Sequence, residues 1–133
     1  MKRTSTLLGF SLGAALAAAM CLAAIRSWSN IPQPFAGDAT RGKDLYQGCA
    51  ACHSIDANDI GPKHRGVVGR HAASISDYNY SPALTASGLT WDEQTLDRWL
   101  SNPSSLVPGT KMYFKIDDAQ SRADIIAYLK ELH

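Results

Sequence analysis

Five consecutive residues, Cys49-Ala50-Ala51-Cys52-His53, constrain what this chain can fold around more than anything else in it. On one helical turn, residues i, i+3 and i+4 share a face. The two thiols then reach two vinyl groups on one porphyrin edge while the adjacent imidazole points at the iron. This is the C-x-x-C-H signature of covalent haem attachment. Two other uses of such a pair are disfavoured. A redox dithiol expects a βαβ setting, and the sequence has no strand-length alternating run. A zinc site expects a second Cys pair, which does not follow, and the other histidines (His64, His71, His133) are scattered. With three cysteines in all, any pairing leaves one over, so no disulfide framework is available either.

The polypeptide around this motif looks incomplete by itself. Its 133 residues support one small domain. Asp38 to Gly48 is rich in helix formers, with Leu45 and Tyr46 available for a buried face and Gly48 as a stop. Thr90-Trp91-Asp92-Glu93 has the form of a capping box, with Leu96, Trp99 and Leu100 at helical spacing behind it and Asn102-Pro103 as a terminator. A third helix is expected from about Asp117, with Gln120 three residues on and a stripe of Ile125, Ile126, Leu129 and Leu132. Between the first two helices, Ser54 to Leu89 is punctuated by glycine and proline and has little periodicity. A loop that long is uncommon in a compact domain unless something else organises it, and a buried porphyrin would do so.

Residues Met1 to Arg26 read differently from the rest. Lys2 and Arg3 precede a stretch from Leu7 to Ile25 that carries no charge. That is the layout of a secretory signal peptide, and Ala17-Ala18-Ala19 offers a small-residue cleavage pattern. The stretch is also close to the roughly 20 residues that span a bilayer, so an uncleaved N-terminal anchor competes with cleavage. Its Ala and Gly content drives insertion weakly and favours cleavage. Lipidation at Cys21 fits poorly after Met20. Either way the remainder is exported, as a periplasmic protein or one tethered to the outer face of the cytoplasmic membrane. Ser27 to Ala36, with two prolines, reads as a linker to a domain over residues 37–133.

Charge narrows the partners. Residues 37–133 hold ten Lys and Arg against twelve Asp and Glu, a formal net of −2. No basic stripe exists, which disfavours a nucleic-acid binder. The domain lacks repeats and long apolar faces, so a monomer is expected.

The iron of an attached haem needs a second axial ligand, and the candidates are His64, His71, His133, Met20 and Met112. Met112 is favoured because Pro108-Gly109-Thr110-Lys111-Met112 is an extended loop far along the chain from His53, able to bring a thioether over the opposite face. His/Met ligation raises the reduction potential, since a soft thioether favours Fe(II).

Taken together, CAACH, GPKHRGVVGR (61–70), YNYSPAL (78–84), SGLTWDE (87–93), NP (102–103), VPGTKM (107–112) and IIAYL (125–129) make residues 37–133 resemble class I cytochrome c, the small monohaem type. The resemblance implies an all-α fold of three to five short helices and long loops wrapped around one covalent haem c. It implies that Cys49 and Cys52 carry the thioethers, that His53 and Met112 ligate iron, and that the Pro62 carbonyl receives the other N–H of His53. It also implies that Arg70, Tyr80 and Trp91 meet the haem propionates, and that Gly42 lies against Tyr128 where the first and last helices cross.

There are departures as well. Trp99 stands where many relatives have a tyrosine near the methionine sulfur, and an indole only donates. Leu84 replaces an asparagine and makes the distal pocket more apolar. Ser104, Ser105, Asp118 and Ala119 stand roughly where mitochondrial relatives carry docking lysines, leaving Lys111 and Lys115. The expected function is one-electron transfer between redox partner proteins in a respiratory-type chain, not an enzymatic reaction. The alternatives are a membrane-anchored relay subunit of an oxidase or reductase, and a peroxidase-like haem enzyme should Met112 leave the iron.

Overall fold

The computed structural model describes residues 36–133, so the signal or anchor reading of residues 1–26 and nearly all of the linker lie outside the described residues. Helix α1 (Ala39–Leu45) runs into a 3₁₀ turn (Tyr46–Gly48). After a long irregular stretch come α2 (Pro82–Thr85), α3 (Glu93–Ser101), α4 (Pro103–Leu106) and α5 (Ala119–Glu131). The one β feature among the described residues is an isolated bridge between His71 and Thr90, so the architecture is all-α as expected. No helix among them is long and apolar enough to cross a membrane.

Aspartates cap the three longer helices, α1, α3 and α5. The α3 cap is Asp92, whose side chain accepts from Thr95 N–H at 2.7 Å. Thr90 does not form the expected capping box, because the bridge to His71 claims it and its Oγ1 hydrogen-bonds His71 Nδ1 at 3.0 Å. Asp118, not Asp117, caps α5 by accepting from Ser121 N–H at 2.7 Å. Asn102 closes α3 and then caps α4, accepting from Ser105 N–H at 3.0 Å. Of the two residues expected on the buried face, Tyr46 is buried in the 3₁₀ turn and Leu45 is exposed.

Helices α1 and α5 cross at glycine, as the resemblance implied. A Cβ on Gly42 would lie 1.9 Å from the Asp124 carbonyl oxygen and 3.0 Å from Tyr128 Cβ. Backbone therefore meets backbone at this point. The stripe expected on α5 is buried throughout: Ile125, Ile126, Leu129 and Leu132 join Leu96, Trp99 and Leu100 of α3 in one core.

No pattern in the sequence signals the polar clasp beside this crossing. Asp124 is 2% exposed, yet its carboxylate accepts from Asp38 N–H (2.8 Å), Arg41 Nε (2.9 Å), Arg41 Nη2 (3.0 Å) and Gln120 Nε2 (2.9 Å). The Arg41 guanidinium, working against burial, holds its pKa down to about 2. A carboxyl with a depressed folded-state pKa adds stability above its ordinary value of 3.8 and loses it as pH falls through about 2. Asp124→Asn should thus destabilise the domain by about 2 kcal/mol at neutral pH. The gap between variant and parent in thermal melts should close between pH 4 and pH 2. A gap that is constant across this range would contradict the clasp.

The long irregular stretch is tied down by its own backbone. Gly61 N–H donates to Cys52 O (2.7 Å), His64 N–H to Ser54 O (3.1 Å) and Gly66 N–H to Leu132 O (2.6 Å). Gly69 N–H donates to Trp91 O (2.9 Å) and Trp91 N–H to Arg70 O (2.9 Å). Gly69, at φ +84°, takes a left-handed conformation that a side chain would strain.

Candidate functional site

The attachment motif leaves the 3₁₀ turn as one more helical turn. Cys52 N–H and His53 N–H both donate to Cys49 O, at 3.1 and 2.9 Å, which keeps the two thiols and the imidazole on one turn. Burial, followed by the proximity of Cys52, pushes the Cys49 thiol up to about 11.

His53 is fixed at two places. Its Nδ1–H donates to the Pro62 carbonyl at 2.8 Å, as expected, and this leaves the Nε2 lone pair free. Its ring also lies against Gly61, where a Cβ would come within 2.2 Å of Cε1. Burial lowers its pKa, so the neutral, ligating form is favoured.

These residues form one wall of a cavity of about 420 Å³, within the roughly 300–1,000 Å³ typical of ligand sites. Cys49, Cys52, His53, Arg70, Tyr80, Trp91 and Met112 all line it, as do Leu84 and Trp99. Met112 enters on the loop that follows Gly109, a residue at φ +92°. Trp99 Nε1–H donates to Met112 Sδ at 3.2 Å, the donor-only contact an indole allows. Trp99 also packs against Trp91, ring centroids 5.0 Å apart.

The other candidate ligands are distributed unevenly. His64 lines the cavity but is stacked on His53, with centroids 4.1 Å apart and planes 21° from parallel. Burial lowers its pKa to about 3, with His53 and Arg70 adding to the effect, so it is neutral. His71 is bound to Thr90, His133 does not line the cavity, and Met20 lies outside the described residues.

Sequence reasoning missed the parts played by His64, Tyr46 and Gly61. Only the nearness of Gly61 and His64 to Pro62 in the chain could have signalled two of them.

The residues fit a porphyrin. Leu84, Trp91, Leu96, Trp99 and Leu100 supply apolar walls for a flat macrocycle, and the paired thiols sit at the edge. The Arg70 guanidinium donates to the Arg65 carbonyl (2.8 Å) and the Lys63 carbonyl (2.9 Å). Burial pushes its pKa down, and no carboxylate among the described residues compensates. A part-buried cation that meets only carbonyls suits the carboxylates such a group carries.

A family model described as Cytochrome c matches residues 39–133. Cytochrome c2 of Rhodomicrobium vannielii is 45% identical over 102 residues, covering 74% of this chain and 82% of that protein. Among solved structures, cytochrome cH from Methylobacterium extorquens superposes with a TM-score of 0.70 at 46% identity, covering 71% of this chain and 99% of the other. Ferricytochrome c2 from Rhodopseudomonas palustris gives a TM-score of 0.69 at 34% identity, covering 72% and 99%. The chain therefore belongs to the cytochrome c family: a class I monohaem electron-transfer protein rather than an enzyme, binding haem c covalently through Cys49 and Cys52.

Proposed function

We propose that this protein is an exported one-electron shuttle whose haem iron is held by His53 Nε2 and Met112 Sδ, passing electrons between redox enzymes of a respiratory-type chain. One observation carries the reading. Two side chains from distant parts of the chain line a single apolar cavity, each held by a second contact: His53 by the Pro62 carbonyl and Met112 by the Trp99 indole.

When bound, the haem supplies the Fe(III)/Fe(II) couple. The chain's own work is to keep that couple's surroundings unchanged. Pro62 fixes the His53 tautomer, and Trp99 steadies the thioether without being able to accept a proton in return. Leu84, Leu96 and Leu100 exclude water. Arg70, Tyr80 and Trp91 line the cavity and would meet the propionates, Arg70 by charge and the other two by N–H or O–H donation.

Replacing the sulfur tests the axial assignment. Met112→Ala should retain covalent haem, judged by intact mass, but lose the ferric iron–sulfur band and fall in reduction potential. Unchanged ligation in that variant would overturn the distal half of the reading. Export rests on the sequence of residues 1–26 and is tested by the N-terminal sequence of the mature protein.

Docking should depend little on charge. Lys115 is paired with Asp117 at 3.0 Å and Lys111 Nζ donates to Asn79 O at 2.8 Å, while exposed Ile60, Tyr113 and Phe114 rim the cavity. The rate of electron transfer to its partner should change by less than about threefold between roughly 50 and 200 mM salt, where a strongly steered pair loses about tenfold or more. Stopped-flow kinetics across that range decides it.

A further inference from the structure

A hydrogen bond to one ring nitrogen fixes where that nitrogen points but leaves the imidazole plane free to turn about the bond. The Pro62 carbonyl therefore sets the direction of His53 Nδ1 without setting the plane of the ring. Gly61 limits that turn by contact with the ring, and a second group lies alongside it. The His64 ring lies nearly parallel to that of His53, centroids 4.1 Å apart and planes 21° from parallel, close enough to resist such a turn.

His64 is itself held in three ways. Its backbone N–H donates to Ser54 O at 3.1 Å. Its Nδ1 shares a 2.9 Å hydrogen bond with Tyr46 Oη, and the two rings meet edge-on at 5.6 Å. Tyr46 is 4% exposed and packs edge-on against Tyr128 of α5, 5.3 Å away. It also sits just before the attachment turn, its carbonyl accepting from Cys49 N–H and Ala50 N–H at 2.8 and 3.0 Å. A chain of three aromatic rings thus runs from the helix crossing to the proximal imidazole.

We propose that Tyr46 and His64 are positioning residues that set the plane of the His53 imidazole, so that the α1–α5 crossing orients the axial ligand. This rests on His53 being the proximal ligand. A branched aliphatic residue at position 64 would fill the space but present no flat face, and phenylalanine at position 46 would keep the packing but free His64 to rotate.

The test uses ferric holoprotein carrying His64→Leu, Tyr46→Phe or His53→Ala. In a low-spin ferric haem, the angle of the axial imidazole plane governs how unpaired electron density is shared among the four pyrroles. The contact-shifted haem methyl resonances in proton NMR, and the electron paramagnetic resonance anisotropy, report that angle. Both Tyr46→Phe and His64→Leu should remain low-spin and folded by circular dichroism, with the order or spread of the four methyl shifts altered, more in His64→Leu. Wild-type methyl patterns in both variants would overturn the positioning role. Tyr46→Phe, which removes only one oxygen, decides the matter alone should His64→Leu fail to fold. His53→Ala separates the two readings: if it keeps the low-spin spectrum, the ligand assignment fails and takes the positioning role with it. If it loses that spectrum while the other variants keep wild-type methyl patterns, positioning alone fails.

Discussion

Gly42→Ala is expected to destabilise the protein by about 3 kcal/mol or more, although alanine is the better helix former. Propensity alone predicts the opposite, a gain of about 1 kcal/mol for replacing glycine inside a helix. The crossing decides the sign. The added methyl would sit 1.9 Å from the Asp124 carbonyl oxygen and 2.5 Å from its carbon, and neither atom can swing aside as the end of a side chain would. α1 and α5 must separate, loosening the Asp38–Asp124 hydrogen bond and the Arg41 clasp together. Against a total stability of roughly 5–15 kcal/mol for a domain of this kind, that loss is large. Guanidinium unfolding of purified holoprotein measures it, and an unchanged or higher midpoint would show that the helices do not meet at Gly42.

The second large effect is expected at the iron. Gly61→Ala would place a methyl 2.2 Å from His53 Cε1, 2.5 Å from Nδ1 and 2.6 Å from Nε2. The backbone there has little room to retreat, since Gly61 N–H is bound to Cys52 O at 2.7 Å and Gly61 O receives Asp59 N–H at 2.8 Å. The imidazole has to move, breaking its 2.8 Å bond to Pro62. Losing a contact that orients a metal ligand typically costs 10–100-fold, so the yield of low-spin holoprotein should fall by about tenfold or more. A wild-type yield and spectrum would mean that Gly61 is not the surface His53 leans on.

How much of this could be read from the sequence depended on how local each cause was. Cys49, Cys52 and His53 were legible because their geometry is settled within one turn. Leu96, Trp99 and Leu100, and the stripe on α5, were legible because burial follows helical period. That Met112 reaches the cavity wall was legible from its loop, although its contact with Trp99 needed the resemblance. Thr90 misled because a capping motif is a local preference, and the pairing with His71 outweighed it. Leu45 misled because two adjacent apolar residues at a helix end do not reveal which of them is covered, and here Tyr46 is. Asp124 gave no signal, since Asp38 and Arg41 lie more than eighty positions away, and an acid beside Ile125 looks like any solvated helix residue. His64 is a candidate ligand by residue type, but only the three-dimensional arrangement puts its ring beside that of His53.

The meeting of α1 with α5 also governs when the protein can acquire its structure during synthesis. Until Ala119–Glu131 has been made, Gly42 has no backbone to rest against and Tyr46 no Tyr128 to touch. A nascent chain therefore presents Cys49 and Cys52 before the element that would enclose them exists. Closing the loop between segments so far apart has an entropic cost that the contacts of α5 must offset. The thiols are thus open to covalent modification on a chain still unfolded, and α5, made well after them, is the helix that seals the product.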